Sequence, residues 1–236
     1  MNKVFIIGNG PSRKNINISL LRQEGKVYGT NLLFLESPVD SIVSIDPIAE
    51  HKVYHSGYAY LNKCYLADWT PIPEMMYDDI VSSMPVNKDN IIQNKKNGST
   101  EFVIHASKEL KQPKNEPWRV NTPESIYISW VKEDKVENID VPLNSAGGTA
   151  LITACKKENP QQVYMMGMDF FAWKDIYGYP YIYHKTPIGA PTKWLNEFKS
   201  AFQLYPNIVF IQVNINRFEE WEDVKNLTYL DSYEKE

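Results

Sequence analysis

Residues 5–15 read FIIGNGPSRKN, an apolar run that stops abruptly at two glycines around an asparagine, followed by a proline, a serine and two cations. The apolar part, with Val4 before it, is β-branched or aromatic and bounded by turn chemistry, which predicts a strand over Lys3–Ile7. The second part is a loop. Glycines lack a Cβ and let backbone N–H groups approach an anion near a helix start. The loop therefore reads either as a phosphate cradle built on Gly8, Asn9, Gly10 and Ser12 or as a tight strand-to-helix turn. It is neither G-x-G-x-x-G nor a Walker A sequence, because the lysine and hydroxyl at the required spacing are missing.

On either side of this loop the chain alternates strands and helices. A short helix is predicted near Ile18–Gln23, then strands over Lys26–Asn31 and Asp40–Asp46, each ending in a polar residue. Open parallel sheets bind ligands beyond the carboxyl ends of their strands, so Asn9, Asn31 and Asp46 are candidates for one site. From about residue 69 to 141 the period is lost, with Pro, Asn, Lys and Trp scattered through NKKNGSTEF and KQPKNEPWRVNTPES. That texture predicts an insertion or lid rather than more sheet. Regularity resumes in NSAGGTALITACKKENPQQVYMMGMDFF. Asn144 or Ser145 caps a helix from about Ala146 to Lys157, Asn159 and Pro160 stop it, and Val163–Met166 form a buried strand ending at Gly167 and Asp169. Asn144, Ser145 and Gly147 place small residues at a helix N-terminus. They serve either phosphate binding or close helix–sheet packing through Gly147 and Gly148. A further helix near Pro191–Tyr205 carries Trp194, Leu195, Phe198, Ala201 and Phe202 at core-facing spacing, and a strand over Ile208–Val213 follows. The expected fold is α/β: one Rossmann-like domain over residues 1–236, with a mostly parallel sheet, helices on both faces and the irregular insertion.

Composition limits the function classes. With 43% hydrophobic and 23% charged residues the chain reads as a soluble globular protein. A net charge of -4 and a pI near 5.7 give no global basic field for nucleic acid. Lys88, Lys95, Lys96, Lys108, Lys111, Lys114 and Arg119 could still form a local basic groove, or a solvated face. Cys64 and Cys155 have no metal-ligand spacing, so no metal and no disulfide are expected. No apolar run approaches about 18 residues and the N-terminus leads straight into a strand, so cytoplasmic localisation without membrane insertion is expected. His51 and His55 lie four apart but lack a third ligand, and surface or capping roles are expected of them. His105 has no evident partner. His184 closes DIYGYPYIYH, a tyrosine-rich loop, and a histidine there can take a proton from an attacking hydroxyl. Tyr177, Tyr179, Tyr181 and Tyr183 alternate as on one face of a strand or hairpin.

IIGNGPS, Asn31 after the second strand, the small-residue turn at Asn144, VYMMGMDFF and the tyrosine-rich loop ending in His184 together resemble the bacterial sialyltransferases of glycosyltransferase family 42. The order and spacing cover most of the chain. The resemblance implies a GT-A-like variant of the fold and a metal-independent glycosyltransferase that needs no cofactor beyond its nucleotide-sugar. It further implies that Gly8, Asn9, Ser12 and Asn31 hold the donor nucleotide, with Asn144, Ser145 and Gly147 also at the donor. His184, in an acceptor-side lid of about 172–190, would be the general base, and Tyr177 or Tyr179 would stabilise the leaving phosphate. With the candidate strand-end residues, the donor set is Gly8, Asn9, Gly10, Ser12, Asn31, Asp46, Asn144, Ser145, Gly147, Gly167 and Asp169. The chain departs from the family at Phe171, where the family has a tyrosine, at Asp46, where it has an asparagine, and before Ser145, where it has an arginine. These departures leave a CMP- or UDP-linked donor open. The expected acceptor is a hydroxyl on a glycan, or on a hydroxylated DNA base, and homo-oligomerisation is compatible with either. The alternatives are a Mg²⁺-dependent pyrophosphokinase-like enzyme and an inactive nucleotide-binding module, the latter favoured by Phe171.

Overall fold

The computed structural model describes residues 2–105, 126–140, 143–170, 192–213 and 217–233. In chain order the strands are β1 (Lys3–Ile7), β2 (Lys26–Thr30), β3 (Ser41–Ser44), β4 (Lys63–Leu66), β5 (Ile72–Pro73), β6 (Ile91–Gln93), β7 (Glu101–His105), β8 (Ile126–Val131), β9 (Val136–Asn138), β10 (Gln162–Met166), β11 (Val209–Val213) and β12 (Leu227–Leu230). The helices are α1 (Ile18–Leu21), α2 (Pro47–His55), α3 (Tyr58–Leu61), α4 (Tyr77–Ser83), α5 (Ala146–Glu158) and α6 (Thr192–Leu204). The chain forms two compact units, residues Met1–Ser44 with Val141–Glu236, and Ile45–Asp140.

The first unit is α/β, built on parallel strands in the order β12-β11-β10-β1-β2-β3. Val4, Phe5, Ile6 and Ile7 of the central strand β1 are fully buried. Such a strand is apolar on both faces because both are covered, and each of these side chains contributes about 1.5–3 kcal/mol of burial. The chain leaves β1 toward β2 and β3, then restarts at β10 on the opposite side of β1. This is the doubly wound order, and its switch point lies between β1 and β10. Helix α5 packs on β1, β2 and β3. Ser145 Oγ accepts from Gly148 N–H at 3.0 Å to open that helix, and Asn159 closes it in the left-handed region at φ 42. In α6, Leu195, Phe198, Ala201 and Phe202 are buried as expected. Trp194 is only half-buried, and its Nε1–H donates to Asn144 O at 3.2 Å. One strand escaped the sequence reading: β12 lies parallel beside β11, in the stretch leading to the acidic end of the chain. Beyond it, Tyr233 packs edge-on to Phe5 and Tyr164 and donates to Glu24.

The second unit corrects the expectation of an irregular segment. It holds the parallel pair β4–β9 and a four-stranded sheet in the order β5-β7-β8-β6. Within that sheet β7 runs antiparallel to β5 and β8, while β6 runs parallel to β8. Phe102, Ile128 and Trp130 form a core with Tyr77, Ile80 and Val81 of α4 against it. EFVIH and IYISWV are β-rich and pair over five positions. Their strand pattern was hidden by the proline- and lysine-rich residues between them. The other face of the same strands carries His105 and Ser129, which meet α2. Among the described residues no helix is long and apolar enough to cross a membrane.

Candidate functional site

The loops leaving β1 and β10 are zipped together beyond their strands. Gly8 N–H donates to Met166 O at 2.8 Å and Gly10 N–H to Gly167 O at 2.9 Å. A Cβ on Gly8 would lie 2.5 Å from Gly167 O, and one on Gly10 would collide with the Asp169 carboxylate. The two glycines are thus required by the approach of two backbones, whatever else they meet. Ser12 N–H donates to Asp169 Oδ2 at 2.8 Å, which caps the short turn Pro11–Arg13. Gly167 makes its part of the crossing at φ 67, where a side chain would be strained.

Arg13 locks the arrangement from beneath. It is fully buried, its Nε–H donates to Gly8 O at 2.7 Å and its Nη1 pairs with Glu36 Oε1 at 2.8 Å. A buried guanidinium has to be paired in this way, since an unpaired one would carry its whole desolvation cost.

Asn9 sits at the switch point, 2% exposed. Its Nδ2 donates to Thr30 O at 3.2 Å, which leaves Oδ1 as the acceptor end of the amide, and that oxygen is buried without a hydrogen-bond partner among the described residues. Thr30 Oγ1 donates to Ile7 O at 3.2 Å, tying β2 to β1 at the same end. Asn31 adopts φ 50 just beyond β2, its N–H donates to Val43 O at 3.0 Å, and its Oδ1 accepts from Ser44 Oγ at 3.1 Å. Gly8, Asn9, Gly10, Ser12, Gly167 and Asp169 are therefore gathered at the carboxyl ends of β1 and β10, with Asn31 beyond the neighbouring strand.

The remaining donor candidates are already engaged. At the N-terminus of α5, Asn144 N–H donates to Glu197 Oε1 at 2.6 Å, the Asn144 side-chain amide donates to the same oxygen, and Ser145 Oγ donates to Glu197 Oε2 at 2.9 Å. A carboxylate from α6 thus stands where a phosphate was expected, held by Asn144 and the Ser145 hydroxyl at the positive end of the helix dipole. Gly147 faces Met168, whose Sδ lies 2.9 Å from where a Cβ would be, and the same sulfur is 2.9 Å from the corresponding point on Gly8. Close packing is what the structure gives Gly147. Asp46 does not end a strand. Strand β3 stops at Ser44, and the Asp46 carboxylate caps α2 by accepting from Ile48 N–H at 2.9 Å and Ala49 N–H at 3.4 Å. His184, Tyr177, Tyr179 and Phe171 lie outside the described residues.

Sequence reading missed the chemistry of the second unit. Glu50 is fully buried and accepts from Ala67 N–H at 2.7 Å and Asp68 N–H at 3.0 Å, and its burial pushes the carboxyl up to about 8. His51 and His105 are buried against each other. Only the i, i+4 spacing of His51 and His55 was visible beforehand. Burial also pushes the Cys155 thiol up to about 12 and the Cys64 thiol higher, so both are inert thiols. Among the described residues no group of three or more His, Cys, Asp or Glu side chains could hold a metal ion. Of the basic residues considered for a groove, Lys95 pairs with Glu74 at 3.0 Å and covers the Trp130 ring at 4.2 Å, while Lys96 lies over Tyr60 at 5.1 Å. Lys108, Lys111, Lys114 and Arg119 lie outside the described residues. No family model, curated protein or solved structure matches the chain.

Proposed function

We propose that the chain is a glycosyltransferase with a GT-A-like sheet that holds a CMP- or UDP-linked sugar at the carboxyl ends of β1 and β10 and passes the sugar to an acceptor hydroxyl. The observation that carries this reading is the Asn9 amide: buried, pinned through Nδ2, with Oδ1 left as an unpaired acceptor at the switch point. A buried acceptor without a partner costs about 1–3 kcal/mol, and a ligand N–H or O–H placed there recovers it. Nucleobases and riboses supply such donors, and the switch point of a doubly wound sheet is where such ligands enter. The resemblance of IIGNGPS and the tyrosine-rich loop to family 42 supplies the reaction class. In that reading His184 takes the proton of the acceptor hydroxyl as its oxygen attacks the anomeric carbon, and a tyrosine hydroxyl, Tyr177 or Tyr179, stabilises the departing phosphate. No metal is needed in this scheme.

Nucleotides that bind only the folded chain raise its melting temperature. A rise with CMP or UDP, unchanged by chelator, is the expected outcome of a thermal-shift series over CMP, UDP, GDP and ADP. A rise only with ADP, and only with Mg²⁺ added, would favour the pyrophosphokinase-like reading instead. His184→Ala should abolish sugar transfer and leave nucleotide affinity within about twofold, since a base contributes to the transition state rather than to ground-state binding. Equal loss of both in a folded variant contradicts the role.

A second reading has its own observation. Glu197 occupies the N-terminus of α5 and Asp46 is spent on α2, so two of the groups expected at the donor are engaged elsewhere. A nucleotide-binding module without transfer fits that arrangement. Nucleotide affinity with no donor hydrolysis or transfer to any acceptor would identify it.

A further inference from the structure

The second unit contains a hydrogen-bonded chain of two histidines and a serine that the proposed function does not use: His51 of α2, His105 of β7 and Ser129 of β8. Its proton positions follow from the hydrogen bonds. Ser129 Oγ–H donates to Tyr54 O at 3.0 Å, so Oγ accepts from His105 Nε2, 2.7 Å away. A neutral His105 then carries its proton on Nε2 and presents a bare Nδ1. His51 Nδ1 lies 2.9 Å from that nitrogen and must be the donor, which leaves His51 Nε2 without a proton. Among the described residues, Nε2 of His51 is indeed the ring nitrogen that is buried without a partner. The opposite assignment loses the Ser129–Tyr54 bond and strands a buried N–H at the same place.

We propose that this chain is an acid-released latch: with both rings neutral it clamps α2 to β7 and β8, and protonation undoes the clamp. An added proton on His51 Nε2 finds no acceptor, and one on His105 Nδ1 sets two N–H groups against each other across 2.9 Å. The surroundings give a cation little relief. His55 stacks on His51 at 5.5 Å and Tyr127 of β8 stands edge-on to it at 5.1 Å, while Tyr54 and Trp69 pack on His105 at 5.4 and 5.8 Å. Lys52 and His55 repel a charge on His51. Of the acids on the same elements, Glu50 spends its oxygens on Ala67 and Asp68 and Asp46 caps α2, while the Asp68 carboxyl is itself pushed up by burial and by Asp46. Burial moves His51 down to about 3 and His105 well below the usual range. In the unfolded chain both rings take up a proton as pH falls through about 6.5, whereas the folded rings resist. The stability these rings contribute is therefore complete above that pH and is lost below it, by about 25-fold in the folded-to-unfolded ratio for His51 between pH 7 and pH 5, with His105 acting in the same direction.

The test is histidine-ring ¹⁵N spectroscopy on the whole protein, followed by denaturant unfolding read through tryptophan fluorescence at pH 7 and pH 5. The expected result is an Nδ1–H tautomer for His51 and an Nε2–H tautomer for His105, both neutral in the folded protein at pH 5, with an unfolding midpoint that drops on acidification. His51→Gln keeps an N–H for His105 and cannot titrate, so its midpoint should drop by about 25-fold less in the same ratio. Either ring titrating near 6.5 in the folded protein, or both rings in the Nε2–H form, overturns the latch. So does an acid-induced drop in His51→Gln as large as in wild type. Should His51→Gln fail to fold, the ring spectra of the wild type decide.

Discussion

At Gly10 a hydrogen atom is all that separates the backbone from the Asp169 carboxylate, and at Gly8 the same is true of Gly167 O. Residues 8–10 were legible as a place of close approach, because glycine on both sides of an asparagine has few other uses. What they approach was not legible, since the partner loop lies more than 150 residues away and only folding brings it near. Gly10→Ala should destabilise the first unit by about 1–3 kcal/mol, as other overpacked sites do, with chemical denaturation as the measure. Wild-type stability in that variant would show that the two loops can part cheaply. Arg13 was read only as one of two cations after the serine. Its burial beneath Gly8 depends on Glu36, a partner that no local pattern announces.

Elements with their own start and stop chemistry were read closely. Ser145 and Asn159 bound α5 within a residue of the expected limits, and α6 kept its apolar stripe. Elements without such punctuation were missed: β12 is half-exposed and lies next to charge, and β5 to β8 are short strands embedded in proline- and lysine-rich sequence. The helix start at Ser145 shows a further limit. Its anion-binding chemistry was legible, but the anion is Glu197, contributed by the next helix along the chain. If a donor phosphate also uses that terminus, it must displace the carboxylate. Glu197→Gln should then tighten nucleoside monophosphate binding about two- to fivefold, the scale of a charge at a helix end. Unchanged affinity places the phosphate elsewhere, beside Asn9 and Ser12.

At the scale of the whole chain, the second unit carries buried groups whose titrations oppose one another. Glu50 has its pKa raised from 4.5 to about 8, so the stability it contributes is full below 4.5 and is lost as pH rises toward 8. The depressed pKa of His51, lowered from 6.5 to about 3, acts the other way: its stability is full above 6.5 and is lost as pH falls toward 3. With His105 adding to the acid side, the second unit should be most stable near pH 6.5, falling more steeply toward acid than toward base. Unfolding midpoints read through tryptophan fluorescence between pH 5 and 9 would show that maximum. A flat profile would mean that these groups titrate normally in the folded chain.

In the first unit, the proposed function requires a pyrimidine nucleotide to complete the Asn9 amide at the exit of β1. Isothermal titration of CMP and UDP into wild type and Asn9→Ala tests it most directly. One of them should bind the wild type without added metal and lose about tenfold in affinity for the variant, the scale of one buried hydrogen bond. No heat with either nucleotide, or equal affinity in the two proteins, would contradict it.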